Sequence, residues 1–469
     1  MNILILMCDQ LRGDVFDEGH VCQTPHLHRL ADRGLRFTRA YTPNAVCSPA
    51  RASLMTGRLP HAHGVLTVTH TVDDDQCNLR TLPHWAQQLE SAGYHTGYFG
   101  KWHVERSRQL DRFGWQQFAC EGTEALKAAD AEISADHPWS LQWYLDQPPG
   151  YQSERFYGAV DAPPAQRRVG SRVRLAQNFI DEATTQDRPW CCVVSLQEPH
   201  DPFICGTEAL AAYDIDSIPL PASIGDDLTD RPGIYRKAAK AWAHMTPRQH
   251  REAAACYYAS ITEIDALFGS LVDRLDAAGQ LEDTLVVLTS DHGELLGAHG
   301  LYCKNFMGAE EVYRIPMTIA GPGVASGQTC DGRVGLHDLG PTLLMLAGCA
   351  PMDTHGDSHS FDELLITPQQ TADWQLGYSE YFGGRMLLTQ RVVWNGDWKF
   401  VFNGFDEDEL YNLHADPHEM TNRINDPTCR NQVESLCRQM WTKCRDSGDA
   451  SLLNSQYPIL RVAPVGPEF

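Results

Sequence analysis

The sequence has few basic residues. Its 469 residues include 38 Lys and Arg against 61 Asp and Glu, a formal charge of −23 at pH 7. A general nucleic-acid binder needs a cationic surface, so we expect no nucleic-acid partner. Docking on an anionic membrane is also disfavoured, although an acidic shell can still enclose a locally positive pocket.

Long apolar runs and secretion features are also missing. No run reaches the ~18 apolar residues that a spanning helix needs, so we expect no membrane partner. The start, MNILILMCDQ, lacks a basic region, a long apolar stretch and a small-residue cleavage site. The 15 cysteines show no disulfide-framework spacing and are predicted to be mostly reduced and buried. These features predict a cytoplasmic protein, although a chain already trimmed of its signal would look the same.

Short apolar runs alternate with helical patterns over most of the chain. The runs cover residues 2–7, 94–99, 191–196, 285–289 and 316–320. Continuous apolar strands separated by helices are typical of an α/β fold with a mainly parallel sheet covered on both faces. An apolar stripe from Tyr257 to Leu275, spaced 4-3-4-3-4, predicts a long helix that ends before Gly279.

The pattern changes after about residue 371. Short alternating runs such as MLLTQRVVW and WKFVF predict an antiparallel sheet there. We therefore predict a main domain over residues 1–370 and a smaller α+β subdomain over residues 371–469. Two less regular stretches, 120–166 and 201–247, are long for loops in a compact domain and are expected to be lids or pocket walls.

Ionisable residues follow four of the predicted strands. They are Asp9; Lys101 and His103; His200; and Asp291 and His292. Ligand sites of open α/β sheets lie beyond the carboxyl ends of the strands, so this pattern alone predicts a site. Taken singly, an acid after a strand is more typical of a turn or a helix cap.

The segment CSPARASLMTGR at 47–58 carries a stronger signal. Here the sequence is similar to the type I sulfatase family of the alkaline phosphatase superfamily, whose signature is C-x-P-x-R. GKWH at 100–103, HDPF at 200–203, SDHGE at 290–294 and the Lys304 segment recur in the expected order. GDWKFVFN at 396–403 and ELYNLHADPHE at 409–419 resemble the family's C-terminal subdomain. The resemblance implies an alkaline-phosphatase-like mixed, mainly parallel sheet sandwiched by helices, with residues 1–370 as the catalytic domain.

Local physics agrees with this resemblance. Pro49 suits a first helical turn and Gly57 a helix end, which places residue 47 at a helix N-terminus. Free N–H groups and the helix dipole favour an anion such as sulfate there. Arg51, one turn later, could hold the oxygens of the nucleophile. Outside this motif, a lone Cys would more simply be a small buried apolar residue.

The resemblance also implies the chemistry. A formylglycine-generating enzyme would oxidise Cys47 to formylglycine, which hydrates to a geminal diol. One hydroxyl attacks the sulfur of a sulfate ester and the alcohol leaves; the second hydroxyl then collapses to the aldehyde and expels sulfate. Nucleophilic catalysis of this kind divides one hard step into two.

A divalent cation is implied as well. Its ligands would come from Asp9, Gln10, residue 47, Asp291 and His292. Carboxylate and amide oxygens suit Ca²⁺, whereas the imidazole leaves Mn²⁺ open. Many relatives carry Asp at the position of Gln10, and several carry Asn at that of His292. Gln10 is alternatively a plain polar loop residue.

Matched positions supply the remaining roles. Lys101 and Lys304 would hold sulfate oxygens, His103 would orient or deprotonate the diol, and His200 would protonate or stabilise the leaving alkoxide. The alternatives are surface charges for the lysines, a core histidine for His103 and a turn residue for His200.

The predicted function is therefore hydrolysis of a sulfate monoester of a sugar or another small organic molecule to an alcohol and inorganic sulfate. The acidic surface favours a small substrate or a short oligosaccharide over long polyanions. Tyr381 and Arg385 are candidates to reach the pocket, with packing roles as the alternative. A phosphonate or phosphate ester hydrolase on the same scaffold is the first rival, kept open by Gln10 and His292. A non-catalytic sulfate-ester-binding protein is a remote rival, because the motif residues are intact.

Overall fold

The structure is a computed structural model that describes residues 1–70, 79–80, 82–133, 137–304, 306–384, 386–453 and 457–468. Its strands are β1 Asn2–Asp9, β2 Gly34–Tyr41, β3 His95–Gly100, β4 Gln117–Ala119, β5 Trp139–Leu145, β6 Glu154–Val160, β7 Trp190–Pro199, β8 Phe203–Gly206, β9 Thr284–Ser290, β10 Arg314–Ala320, β11 Gln328–Cys330, β12 Val334–Gly335, β13 Leu376–Tyr381, β14 Gln390–Asn395, β15 Trp398–Asn403 and β16 Glu409–Asn412.

The α-helices are Pro25–Asp32, Cys47–Thr56, Pro60–His63, Trp85–Ser91, Glu124–Ala131, Arg168–Ala183, Thr207–Ala211, Gly233–Ala239, Pro247–Ala277, Glu310–Tyr313, Leu339–Leu346, Asp362–Ile366, Arg430–Ser447 and Ala450–Leu453. Short 3₁₀ helices are Gly13–Phe16, Leu110–Phe113, Pro164–Gln166, Ile215–Ser217, Leu281–Asp283, Ala298–Gly300, Leu336–Asp338, Pro427–Cys429 and Pro458–Leu460. No helix of the described residues is long and apolar enough to cross a membrane.

The central sheet has the strand order β11-β2-β10-β9-β1-β7-β3-β4, and β12 also pairs with β2. Strand β10 runs antiparallel to β2 and β9, and the other pairs are parallel. The predicted mixed, mainly parallel α/β sheet is confirmed. The five apolar runs coincide with its strands β1, β3, β7, β9 and β10, and only the run 94–99 extends one residue beyond its strand.

Strand β1 shows why these runs are continuously apolar. Its alternate side chains enter different hydrophobic clusters, Leu4 and Leu6 on one face and Ile3 and Ile5 on the other. A strand buried on both faces has no polar side to show in the sequence. The long helix Pro247–Ala277 covers the Leu4 face with its predicted stripe, which is buried.

The two stretches predicted to be irregular contain regular structure. Strand β6 pairs with β5, both from residues 120–166, and with β8, from residues 201–247, in a separate three-stranded sheet. The prediction of structureless loops is therefore wrong for these segments. Side chains of β5 alternate between exposed and half-buried, so this strand lacks the continuous apolar signal of the central sheet.

The C-terminal segment forms the predicted antiparallel sheet, in the order β13-β14-β15-β16. Helix Arg430–Ser447 packs on it through buried residues such as Leu436 and Met440. The division at residues 370 and 371 stays a prediction. The described cysteines are free thiols, and all but Cys303 and Cys349 are buried.

His61 links the first part of the chain to this C-terminal sheet. Its Nδ1 lies 2.7 Å from Oε1 of Glu380 and its Nε2 lies 3.0 Å from the carbonyl oxygen of Ser447. Burial alone would lower the pKa of His61, but the hydrogen bond and charge of Glu380 raise it to about 9. The protonated ring can donate from both nitrogens, so its charge stabilises the contact.

We predict that this contact makes stability depend on pH. The folded-state pKa lies above the ~6.5 of an unfolded histidine, so the contribution is complete below that pH and is lost as the pH rises through about 9. In denaturant titrations below about pH 6.5, the free energy of unfolding of wild type should exceed that of His61→Gln by up to about 3 kcal/mol. This difference should vanish near pH 10.

The control is His414→Gln, which replaces an exposed histidine of the same region. It should leave the pH dependence of unfolding as in wild type. A wild type and His61→Gln that differ by the same free energy at every pH would contradict the charged state of His61.

Candidate active site

The predicted site residues converge at one edge of the central sheet. Asp9 ends β1, and the other clusters follow β3, β7 and β9. Strand β1 pairs with β7 and β9, and β3 pairs with the far side of β7. The helix Cys47–Thr56 starts with Cys47 at this edge and ends at Gly57, whose φ of +64° is the left-handed conformation that glycine favours. The predicted helix bounds are confirmed.

A cluster of potential metal ligands lies around Cys47. One ligand atom from each of Asp9, Cys47, Asp291 and His292 lies within 4.8 Å of the others, and all four residues are buried. The Cys47 Sγ is 3.2 Å from His292 Nε2 and 3.7 Å from Asp9 Oδ1. Two carboxylates, an imidazole and the group at residue 47 fit the donor set of a divalent cation.

Arg51 holds this cluster together from behind. Its Nε donates to Asp291 Oδ2 at 2.7 Å, and its Nη2 donates to Asp9 Oδ2 at 3.2 Å. Its Nη1 donates to the Lys101 carbonyl oxygen and to Ser195 Oγ, both at 2.8 Å. Because the side chain of Arg51 is 1% exposed, these bonds fix both carboxylates in a buried setting, where charge-assisted hydrogen bonds are strong.

Lysines surround the sulfur of Cys47. Lys101 Nζ lies 3.9 Å from Cys47 Sγ and 2.5 Å from Asp9 Oδ2. Burial by itself would raise the pKa of the Cys47 thiol, but the charges of Lys101, Lys304 and His292 lower it well below its ordinary value. The environment of residue 47 therefore favours negative charge, although the protein as a whole is acidic.

Gln10 lies beside the cluster, in contact with Lys304. Its Nε2 donates to Asp201 Oδ1 at 2.9 Å and to Glu294. Those two carboxylates fix the orientation of the amide, and its Oε1 accepts from Lys304 Nζ at 2.8 Å. Burial raises the pKa of Glu294 to about 7. The amide oxygen of Gln10 thus holds Lys304, and Glu294 acts on the site through Gln10.

His200 completes this side of the site. Its Nδ1 lies 2.6 Å from the carbonyl oxygen of Asp201, and its Nε2 lies 2.6 Å from Lys304 Nζ. The sequence did not single out Asp201, which touches both His200 and Gln10. Its position next to His200 in HDPF was the available signal.

His103 adopts a positive φ of 53° and stacks on His70, with ring centroids 4.9 Å apart. Its Nε2 lies 2.8 Å from His70 Nδ1. Sequence reasoning missed His70, because nothing in the spacing of the two histidines indicates a contact. His70, His103 and Lys101 line a cavity of about 480 Å³ that also includes Trp102 and Glu121.

Tyr381 and Arg385 were the two C-terminal residues predicted as candidates to reach the pocket. Tyr381 is buried in a hydrophobic cluster, where its hydroxyl accepts from the Phe306 backbone N–H at 3.3 Å. This is the packing role given as the alternative. Arg385 lies outside the described residues.

The fold and the site define an alkaline-phosphatase-like hydrolase with a buried cluster of potential cation ligands next to a cysteine in the sulfatase motif. The Sulfatase family model matches residues 1–349. The C-terminal model of N-sulphoglucosamine sulphohydrolase matches residues 297–446. The chain therefore belongs to the sulfatase family and is a sulfuric ester hydrolase; the family generally uses formylglycine and a divalent metal.

Curated relatives and a solved structure agree with this assignment. The chain is 30% identical to choline-sulfatase of Rhizobium meliloti, covering 91% of this chain and 83% of the relative. It is 25% identical to N-acetylglucosamine-6-O-sulfatase of Bacteroides thetaiotaomicron, covering 90% and 82%. The phosphonate monoester hydrolase of Silicibacter pomeroyi has a TM-score of 0.81 at 23% identity, covering 96% of each chain, which shows a shared fold.

We predict that Arg51→Lys disrupts the site by removing hydrogen bonds to Asp9 and Asp291. A single ammonium cannot replace four hydrogen bonds, so at least one buried carboxylate loses its partner. This should lower the free energy of unfolding by roughly 3–5 kcal/mol. Affinity for Ca²⁺ or Mn²⁺ should fall ~10–100-fold in calorimetric titrations, because Asp9 and Asp291 lose their orientation.

Arg248→Lys is the matched control, since exposed Arg248 pairs with Asp216 and Glu252. It should change stability by less than about 1 kcal/mol and leave cation affinity unchanged. An Arg51→Lys protein with wild-type stability and affinity would contradict the role given to the guanidinium.

Proposed function

We propose that this sulfatase hydrolyses the sulfate monoester of a small organic molecule or short oligosaccharide, with residue 47 as nucleophile. One observation carries the proposal: the side chain of Cys47 lies at a helix N-terminus, with Lys101 on one side and His292 on the other. Helix N–H groups and fixed cations both favour the anionic sulfate group and the charge that grows on it during transfer.

Cys47 would be converted to formylglycine by a formylglycine-generating enzyme. The modified residue would supply a hydroxyl nucleophile and a second hydroxyl that allows release of sulfate without attack by water. A buried position limits competing reactions at the aldehyde, and Cys47 is 2% exposed. The thiolate favoured in the unmodified chain has no hydroxyl group, so it cannot release sulfate in this way.

The cation is proposed to be Ca²⁺, with Mn²⁺ as the alternative. Asp9, Asp291, His292 and the oxygen of residue 47 would hold it, and it would supply positive charge next to a sulfate oxygen. Two carboxylates favour the harder Ca²⁺, whereas the imidazole favours Mn²⁺. Gln10 is a weaker candidate for a ligand than the sequence predicted, because its amide oxygen accepts from Lys304.

Basic residues are assigned the remaining steps. Lys101 and Lys304 would bind sulfate oxygens, and their charges stabilise the transition state. His200, held by Asp201, would give a proton to the leaving alkoxide. His103, stacked on His70, would orient the nucleophilic hydroxyl or take its proton.

The cavity beside Lys101 and His103 supports a small leaving group. Its volume of about 480 Å³ is in the range of small-ligand pockets. Two relatives are named as a choline-sulfatase and an N-acetylglucosamine-6-O-sulfatase. A long polyanion would also meet an overall charge of −23.

A phosphonate ester hydrolase is the second candidate. His292 and Gln10 favour it, and the structural likeness to a phosphonate monoester hydrolase shows that the fold accommodates that reaction. The two substrates carry the same single negative charge, but a carbon group replaces one oxygen on the phosphorus of the phosphonate, so assaying both with the same leaving group separates the candidates.

We predict that Cys47→Ala loses at least ~10⁴-fold in kcat with 4-nitrophenyl sulfate, because removal of a nucleophile abolishes the covalent route. Wild type, produced with a formylglycine-generating enzyme, should turn over this sulfate ester with a higher kcat/KM than 4-nitrophenyl phenylphosphonate, which has the same leaving group. Initial rates with both esters provide the measurement.

Cys192→Ala, which removes a buried thiol of β7, is the control and should keep wild-type rates. Retained sulfatase activity in Cys47→Ala would overturn the assignment of the nucleophile. A higher kcat/KM with the phosphonate would instead select the second candidate.

A further inference from the structure

The cluster around Cys47 also matches the ligand set of a zinc site, as long as residue 47 keeps its thiol. Proteins bind Zn²⁺ with thiolate, imidazole and carboxylate groups, and commonly place four of them at the corners of a tetrahedron. Asp9, Cys47, Asp291 and His292 supply one sulfur, one imidazole nitrogen and two carboxylates. Each of these residues is at most 2% exposed, so the four ligand groups face one another in the interior of the protein.

The separations between the ligand atoms fit a tetrahedral zinc ion. Cys47 Sγ lies 3.2 Å from His292 Nε2 and 3.7 Å from Asp9 Oδ1. His292 Nε2 lies 3.7 Å from Asp9 Oδ1 and from Asp291 Oδ1. Zinc binds sulfur at about 2.3 Å and nitrogen or oxygen at about 2.0–2.2 Å, which places tetrahedral ligands about 3.3–3.6 Å apart. The four side chains therefore need only small shifts to surround one ion.

The hydrogen bonding of His292 presents the correct nitrogen to a metal. Its Nδ1 lies 2.8 Å from the carbonyl oxygen of Gly293. A carbonyl oxygen only accepts hydrogen bonds, so Nδ1 carries the proton and Nε2 of the neutral ring has a free lone pair. Nε2 is the atom that faces Cys47. Metal-binding histidines commonly donate their other ring N–H in this way.

Arg51 orients the two carboxylates towards the same point. Its Nε donates to Asp291 Oδ2 at 2.7 Å, and its Nη2 donates to Asp9 Oδ2 at 3.2 Å. The Oδ1 atoms of the two carboxylates are the ones that lie near His292 Nε2. Each carboxylate thus has one oxygen held by the guanidinium and the other turned towards the cluster, as is common for carboxylates that bind metals.

The chemistry of residue 47 decides which cation suits these ligands. Ca²⁺ takes about six to eight oxygen ligands, and the unmodified cluster offers it the oxygens of only Asp9 and Asp291. A thiolate adds a soft ligand and a third negative charge, both of which favour Zn²⁺. The hydrated formylglycine would instead offer a neutral hydroxyl oxygen, which suits the harder cation. Because zinc binds the thiolate, a proton on the Cys47 sulfur is released to solvent.

A second group of potential ligands lies nearby and is less suited to zinc. It consists of Asp201, Glu294 and Cys303 and contains no imidazole. The amide of Gln10 donates to both of its carboxylates, so these oxygens already have a neutral donor as partner. Cys303 is half-buried, which makes it an accessible thiol close to the Cys47 cluster and a suitable control residue.

We propose that the chain with an unmodified Cys47 is a zinc-binding form, in which Asp9, Cys47, Asp291 and His292 hold one Zn²⁺. Oxidation of Cys47 to formylglycine removes the sulfur ligand and changes the preferred cation from Zn²⁺ to Ca²⁺ or Mn²⁺. The zinc form cannot perform the proposed reaction, because its residue 47 is bound to the metal through sulfur and has no hydroxyl group. Only the comparison with the formylglycine form rests on the proposed function.

The test uses the full chain produced without a formylglycine-generating enzyme, after the mass of the Cys47 peptide has shown a retained thiol. Co²⁺ is the spectroscopic probe, because it occupies zinc sites and reports their ligands. It should give a sulfur-to-cobalt charge-transfer band in the near ultraviolet and the intense visible bands of tetrahedral Co²⁺. One equivalent of Zn²⁺ should abolish both, whereas millimolar Ca²⁺ should leave them unchanged. Competition with a chromophoric chelator then gives the zinc affinity.

Three variants locate the metal. Cys47→Ser nearly keeps the size of the side chain but replaces sulfur by oxygen, so it should lose the charge-transfer band and bind Zn²⁺ ~100-fold more weakly. His292→Ala removes the imidazole and should also weaken zinc binding ~100-fold, which provides a second measurement if Cys47→Ser does not fold. Cys303→Ser is the matched control and should keep the wild-type spectrum and affinity. Thermal unfolding of each variant without metal establishes that it is folded.

The formylglycine-containing chain should lack the charge-transfer band and bind Zn²⁺ at least ~10-fold more weakly than the thiol form. A thiol form without this band would overturn the proposal. So would a band that persists in Cys47→Ser, or one that is lost in Cys303→Ser, because either result places the metal elsewhere. No measurement uses turnover. A chain whose Cys47 is never oxidised would therefore contradict the proposed function, while the zinc measurements on the thiol form would stand.

Discussion

The buried guanidinium of Arg51 is the interaction on which the rest of the site depends. It bonds Asp9 at the end of β1, Asp291 after β9, and the backbone of Lys101 after β3. Three chain segments that are remote in sequence are thereby held in one geometry. A buried carboxylate is costly without a partner, so the bonds from Arg51 allow Asp9 and Asp291 to face the same small space.

Positive charge around residue 47 contrasts with the acidity of the protein. Lys101, Lys304 and His292 act on the sulfur of Cys47 at close range, whereas the −23 charge is spread over the whole molecule. Solvent screens the distant charges more than the buried ones. The site therefore presents positive charge to a sulfate group although the protein as a whole is acidic.

Much of the fold could be predicted from the sequence. Central strands such as β1 are buried on both faces, so their continuous apolar runs are visible without a structure. The sequence does not predict β2 in this way, because Arg36 and Arg39 interrupt its apolar residues. Strand β5 is not predicted from the sequence for a related reason, since its side chains alternate in exposure. Partly exposed strands resemble loops until their pairing partners are known.

The site was predicted where a local signal existed. Asp9, Lys101 and Asp291 follow predicted strands, and Cys47 and Arg51 lie one helical turn apart. The contact between His70 and His103 has no such signal, because it joins loops 33 residues apart. The orientation of Gln10 likewise depends on partners 191 to 294 residues away. Spacing along the chain cannot reveal which atom of an amide faces a lysine.

The most direct test of the account is the mass of the peptide that contains Cys47. The protein would be produced together with a formylglycine-generating enzyme, digested and analysed by mass spectrometry. We predict an aldehyde oxygen in place of the thiol at residue 47, with the other cysteines unmodified. A fully retained thiol, under conditions in which the same enzyme modifies a control sulfatase, would contradict the proposed nucleophile.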